Sequence, residues 1–356
     1  MLFACYNERN SSLLKMRSNV YFYLQEDWHL HSRNMSTVTH RFIETNGIRM
    51  HIAEQGTGPL VVLLHGFPEL WYSWRHQLAV LADAGYRAVA PDQRGYGRTD
   101  QPTEIESYTQ LHLVGDIVGL LDALGEEKAV LVGHDWGGWV TYNTALLRPD
   151  RVRGVVLLST PYAPRGPFSL LAAMRSMLGE GFYMAYFQKP GVAEAELEHD
   201  VRTTMRKFFY SGSGDAPRPQ DGPQQPVVPE GRGFLDIMVE PQNLPSWLTE
   251  ADVDFYAAEL RRTGFSGGLN WYRTIDKSWE LMAAWNGVPL LSPTLYVAGD
   301  RDLVVNFPGA SDLIANQQVF VPNLKRTVIL SGCGHWTQQE RPAEVNAAMI
   351  EFLRGL

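Results

Sequence analysis

The sequence has little cysteine, no long uninterrupted apolar run and no surplus of positive charge. Two cysteines in 356 residues, Cys5 and Cys333, exclude a disulfide framework and suit a reducing compartment, so a cytoplasmic location is expected. No stretch is apolar enough for long enough to span a membrane, and the basic amino-terminal residues have no continuous apolar stretch behind them to make a secretory signal. A formal net charge of −8 argues against a nucleic-acid partner, which needs a clustered basic face. What remains is an ordinary globular composition: 45% hydrophobic and 20% charged residues rule out bulk disorder. The length suits one large core, or a core with an insertion.

Residues 1–36 are polar with scattered aromatics and histidines, and read as a tail, with Met35 a plausible second start. Regular patterning begins at Thr37. Short alternating runs at 41–43 and 48–53 flank Asn46-Gly47, a strong hairpin signal. Apolar runs at 60–64, 86–92, 128–135 and 152–160 read as strands buried on both faces. Helical patterns at 74–84, 111–124 and 136–147 alternate with them, which predicts an α/β fold with a mostly parallel sheet of about eight strands and helices on both faces. From Pro161 to Pro289 the rhythm changes to helices at 168–178, 193–209, 250–263 and 271–285, with a Gly-, Pro- and Gln-rich loop at 211–233. Strands at 294–298 and 326–330 and a helix at 343–353 then resume the alternation. The expected organisation is a core of 37–160 and 290–356 interrupted by an all-helical cap of 161–289, closing over the carboxyl ends of the strands where such sheets form pockets.

One stretch carries most of the chemistry. Val130 to Gly138 reads V-L-V-G-H-D-W-G-G, a strand that stops at a turn and restarts as a helix. Its Gly-x-Asp-x-Gly spacing is that of the strand-turn-helix elbow known with serine at the centre. Asp135 stands where the serine would. An aspartate there also suits plain helix capping, so its partners decide. Candidate partners fall where other strands end: His65-Gly66-Phe67-Pro68, then Asp300 and Asp302, then Gly334-His335. A nucleophile, a later acid and a last histidine follow the chain order of the α/β-hydrolases. His134 should point away along the turn in a structural role, and Cys333 sits in no elbow and reads as a packing residue. His29, His31 and His40 supply no fixed metal geometry, so neither metal nor cofactor is expected.

With these motifs the chain resembles the soluble epoxide hydrolases of the α/β-hydrolase superfamily from about Thr39 to its end. H-G-F-P at 65–68, W-Y-S-W-R at 71–75, G-H-D-W-G-G at 133–138 and G-H-W at 334–336 carry the resemblance, with Y-M-A-Y-F-Q-K-P-G from Tyr183 and L-N-W-Y-R from Leu269 in the helical insertion. It implies Asp135 as nucleophile, His335 as hydrolytic base, Asp302 as the acid closing A-G-D-R-D, and Tyr183 and Tyr272 as the phenols holding the epoxide oxygen. Without it, Tyr162, Tyr186, Tyr210 and Tyr256 would be equal candidates. Backbone N–H groups of Phe67 and Trp136 are the expected oxyanion donors, and Pro68 would fix the Phe67 peptide. His65, Pro68, Trp71, Trp271 and Trp336 are expected to line the pocket.

The chemistry points the same way. A carboxylate attacking an ester gives a reactive anhydride, whereas attack on a saturated carbon gives a stable ester. Epoxides and alkyl halides both fit. An opening epoxide needs a proton, which a phenol of pKa about 10 can supply, so paired tyrosines favour a small hydrophobic epoxide and water as reactants. A dehalogenase using the same aspartate is the alternative, and a binding protein of this fold without turnover is a third reading.

Overall fold

The computed structural model describes residues 37–217 and 225–356; the expected tail, with His29, His31 and Cys5, and part of the 211–233 loop lie outside the described residues. Alternating apolar residues and an Asn-Gly turn begin the sheet. Strands β1 (Thr39–Thr45) and β2 (Ile48–Gln55) pair antiparallel, with Thr45 opposite Ile48. Asn46 and Gly47, at φ 45° and 77°, make the two-residue connection with the positive dihedrals such hairpins require.

Six further strands follow: β3 (Leu60–Leu64), β4 (Arg87–Pro91), β5 (Ala129–His134), β6 (Val152–Leu158), β7 (Thr294–Gly299) and β8 (Leu324–Leu330). The sheet order is β1-β2-β4-β3-β5-β6-β7-β8, parallel from β4 through β8. β5 is therefore central, and the chain leaves it in the middle of the sheet's carboxyl edge.

The apolar runs are continuous because both faces are covered. Successive residues of β3 enter different cores: Val61 and Leu63 pack with Trp74 and with Leu78 of helix α1 (Arg75–Asp83), while Val62 and Leu64 pack with Leu113 and Ile117 of α2 (Gln110–Leu124). Helix α3 (Trp136–Leu147) follows β5 directly and contributes Val140 to the second core.

Between β6 and β7 the chain forms α4 (Leu170–Leu178), α5 (Tyr183–Tyr186), α6 (Val192–Leu197), α7 (Val201–Gly212), α8 (Glu250–Thr263), α9 (Ser266–Arg273) and α10 (Ile275–Leu281). Four of these, in two pairs, divide what periodicity reads as two single helices. The 193–209 pattern breaks because Asp200 caps a new helix, its carboxylate accepting the Thr203 N–H at 3.3 Å. The 271–285 pattern starts earlier, at Ser266, and breaks at Thr274, whose hydroxyl donates to the carbonyls of Tyr108 and Trp271. After β7 come α11 (Ala310–Ala315), then, after β8, α12 (Thr337–Glu340) and α13 (Pro342–Arg354). Among the described residues no helix is long and apolar enough to cross a membrane, and no group of three or more His, Cys, Asp or Glu is placed to hold a metal ion.

Candidate active site

The turn after β5 is forced by its glycines. A Cβ on Gly133 would lie 2.1 Å from the Gly137 carbonyl oxygen, and one on Gly137 would lie 2.0 Å from that of Leu64. Only hydrogen at both positions lets helix α3 start this close to the sheet. Asp135 between them takes φ 53°, ψ −120°, a conformation costly for a residue with a Cβ. Its carboxylate is thereby lifted off the sheet edge. Oδ1 accepts the Phe67 N–H at 2.9 Å, where the Phe67–Pro68 peptide is cis. Oδ2 stands 3.7 Å from His335 Nε2.

His335 follows β8, its loop fastened by its own N–H donating to the Gly212 carbonyl at 2.7 Å. Its Nδ1 meets Asp302 Oδ1 at 2.9 Å. Asp302 is fully buried and held by the Val304 N–H on Oδ1 at 2.9 Å. Asp300, the rival acid, is exposed instead and accepts the Gly332 N–H at 2.8 Å. Burial by itself would lower the His335 pKa; the Asp302 charge and hydrogen bond, helped by Asp135, outweigh it and raise it to about 9. Burial would likewise raise Asp302, but the facing imidazole holds it below its ordinary value.

Tyr183 on α5 and Tyr272 on α9 come together above the elbow, ring centroids 5.9 Å apart. Tyr272 packs edge-on against Trp136 at 5.0 Å and Phe67 at 5.3 Å. Burial first, with neighbouring negative charge from Asp135, pushes both phenols well above their usual pKa. Both therefore stay protonated at neutral pH. Gln188 joins the two elements, its Nε2 donating to the carbonyls of Met184 and Tyr272 at 2.8 and 3.0 Å. A cavity of about 480 Å³ opens beside Asp135, Trp136 and Tyr183 and runs along α3 under the helices that follow β6.

The chain is similar to known proteins over nearly its whole described length. Residues 59–342 match the family described as alpha/beta hydrolase fold. Epoxide hydrolase 3 of Siraitia grosvenorii is 47% identical over 322 residues, covering 90% of this chain and 99% of that protein. Epoxide hydrolase A of Mycobacterium tuberculosis is 46% identical over 328 residues, with the same coverage. The crystal structure of epoxide hydrolase A from Mycobacterium thermoresistibile superposes with a TM-score of 0.83 at 48% identity, covering 90% of this chain and 99% of that one. The chain belongs to the epoxide hydrolases of the α/β-hydrolase fold.

Within this epoxide hydrolase none of the five expected pocket residues is among those lining this cavity. His65 is fully buried with both ring nitrogens engaged, Nδ1 at the Gly66 carbonyl and Nε2 accepting the Gln93 N–H. Pro68 is buried. Trp71 packs on Tyr72 and Phe255. The Trp271 and Trp336 indoles donate to the backbone carbonyls of Arg94 and Phe209. An aromatic in a motif is as useful for clamping loops as for lining a pocket, and here the indole N–H groups are spent on backbone. Trp136 does line the cavity, and Phe67 is buried beneath Tyr272.

Two groups near the centre escaped the sequence reading. Glu69, directly after H-G-F-P, is buried and ion-paired with His134 Nδ1 at 2.7 Å, while Gln338 and Gln339 donate to its other oxygen at 3.0 and 2.9 Å. Burial would raise this carboxyl, but the His134 charge and hydrogen bond bring it down to about 2. His134 in turn meets the His335 carbonyl through Nε2 at 2.8 Å, so the elbow strand and the histidine loop are locked together beneath the carboxylate. A charged residue inside an apolar run was the available signal, because a buried charge must be paired. Ser159, at the end of β6 with φ 69°, places its hydroxyl 3.0 Å from His335 Nδ1. Nothing in the sequence around it marks that contact.

The shifted groups have a consequence for stability. His335 rises from an unfolded value near 6.5 to about 9, so its stabilising contribution is complete below pH 6.5 and is lost as pH rises through 9. Asp302 is depressed, so its share is present above its unfolded value and is lost only as pH falls through the lower folded one. The urea midpoint is therefore expected to fall as pH rises from about 6.5 to about 9. An equal fall in a His335→Gln variant would show that another group is responsible.

Proposed function

We propose that the protein hydrolyses epoxides to vicinal diols through a covalent ester on Asp135. The observation that carries this reading is a carboxylate, rather than a hydroxyl, raised at the elbow between a histidine on one side and two neutral phenols on the other. Oδ1 is occupied by the Phe67 N–H, which leaves Oδ2 as the attacking oxygen. As it bonds to an epoxide carbon and the C–O bond breaks, Tyr183 and Tyr272 stabilise and protonate the alkoxide. A phenol can donate here because the alkoxide released by ring opening is a stronger base than a phenolate.

In the second half, water adds to the ester carbonyl of Asp135. His335 Nε2 takes its proton, while Asp302 orients the ring and stabilises the imidazolium. The negative charge passes to Oδ1, where the Phe67 N–H already sits and the Trp136 N–H, first in α3, adds the favourable end of the helix dipole. Collapse of this intermediate breaks the bond from the carbonyl carbon to Oδ2; the proton on His335 passes to the departing diol oxygen, and the remaining carboxyl proton returns to the phenolate. Forming the ester removes the Asp135 charge, one of the causes raising the His335 pKa, so alkylation itself makes the ring easier to deprotonate and prepares it as a base. The helical segment 161–289 serves as the cap that brings both tyrosines to the site and excludes bulk water, and a cytoplasmic location fits the unpaired, buried Cys333.

The reading is tested by supplying an epoxide and an alkyl halide of the same skeleton and measuring diol and halide. Diol without halide is expected; halide alone would favour a dehalogenase. Tyr183→Phe and Tyr272→Phe should each slow ester formation in rapid-mixing experiments by on the order of 10²-fold, and the double variant by more. Ester hydrolysis should change much less. Equal slowing of both steps would take the phenols out of the acid role.

A further inference from the structure

Most of the cavity wall is apolar, formed by side chains such as Trp139, Leu146, Ile275 and Met282. One place differs. Gln110, the first residue of α2, and Asn143, on α3, both line the cavity while being only 3% and 6% exposed. Asn143 Nδ2 donates to Gln110 Oε1 at 3.3 Å, and the Gln110 backbone N–H is fixed to Ser278 Oγ, another lining residue, at 3.0 Å. Each amide has further capacity: Asn143 Oδ1 can accept and Gln110 Nε2 can donate. Neither atom hydrogen-bonds a protein group, yet neither is sealed from contact as a buried unsatisfied atom would be. An amide pair turned into an apolar cavity costs solvation unless something there bonds to it.

The position of the pair is set by α3. Trp136, Trp139, Asn143 and Leu146 follow one another at helical spacing, and all four line the cavity. Asn143 is eight residues beyond Asp135, which at about 1.5 Å per residue puts it about 12 Å down the helix. With C–C bonds of about 1.5 Å, zigzagging, that distance is spanned by on the order of nine bonds.

Resting on the epoxide reading above, we propose that Gln110 and Asn143 form a specificity subsite for a hydroxyl group carried at the far end of an apolar epoxide. Asn143 Oδ1 accepts from the hydroxyl and Gln110 Nε2 donates to it, while the aromatic and aliphatic wall takes the chain between. The preferred substrate class is thus an amphipathic epoxide with an alcohol some nine bonds from the carbon attacked by Asp135.

The test compares a terminal decene oxide with the same epoxide bearing a hydroxyl on its far terminal carbon. The hydroxylated compound should show kcat/KM about ten- to a hundredfold higher in the native enzyme, the range expected when a polar site meets its partner. In Asn143→Leu and Gln110→Leu that ratio should fall towards one. Because both substrates are measured on the same protein, a loss of folded enzyme cancels from the ratio. No preference in the native enzyme, or a preference that survives both substitutions, overturns the subsite. Hydrolysis of neither compound would instead overturn the epoxide reading itself, and this inference with it.

Discussion

His335→Gln enzyme given one turnover's worth of epoxide is expected to gain the mass of that epoxide on the peptide containing Asp135, and to keep it. Attack by Oδ2 does not use the imidazole, so the first half-reaction proceeds. The second requires a proton acceptor where Nε2 now stands, 3.7 Å from Oδ2, and a glutamine amide cannot fill that role. General-base removal costs on the order of 10²- to 10⁴-fold, so the ester's lifetime should lengthen by at least about 100-fold. Intact-protein mass spectrometry over time gives both the adduct and its decay. If no adduct accumulates while the epoxide is still consumed, His335 is not the hydrolytic base.

Asp135→Gly separates chemistry from fold. Turnover should drop by about 10⁴-fold or more, because the covalent route disappears along with the side chain. The folded state should at the same time become more stable, by about 1 kcal/mol, since φ 53° with ψ −120° strains a residue with a Cβ and not a glycine. A higher melting temperature together with lost activity is the expected pair of results; a destabilised variant would mean the conformation is not strained. The route itself is followed by one turnover of native enzyme in heavy-oxygen water. Label should enter Asp135 rather than the first diol released. Label appearing directly in that diol, with none in Asp135, would remove the ester from the mechanism.

The parts of this molecule that were legible in advance are those fixed by short-range rules. The Asn46-Gly47 hairpin, the two-sided burial of residues 60–64 and the glycines around Asp135 each follow from local sterics or periodicity, and all appear where the pattern put them. The periodicity of the 161–289 segment shows its longer helices but neither the short helix Tyr183–Tyr186 nor the breaks at Asp200 and Thr274, because those breaks depend on individual side-chain bonds competing with the helix. The lining of the cavity beside Asp135 is hidden from the sequence for a related reason. Whether Trp271 faces a cavity or donates to Arg94 depends on a segment 177 positions away in sequence, which no local pattern contains. Glu69 and Ser159 belong to the same class: each gains its meaning only when a distant strand end brings His134 or His335 beside it.

The core on the α2 and α3 side of the sheet does not stop at the sheet. Leu64 and Leu131 belong to the same continuous apolar body as Phe187 and Met205, Tyr256 and Leu269 of the helices between β6 and β7. Residues Val38–Leu356 accordingly form one compact unit. Anyone recombining this protein with a relative would therefore find no seam at Pro161 or Pro289. Exchanging the helices alone would set unmatched side chains against the apolar residues that now pack with them, and a viable hybrid would have to carry α2, α3 and their strands along with the transplanted segment.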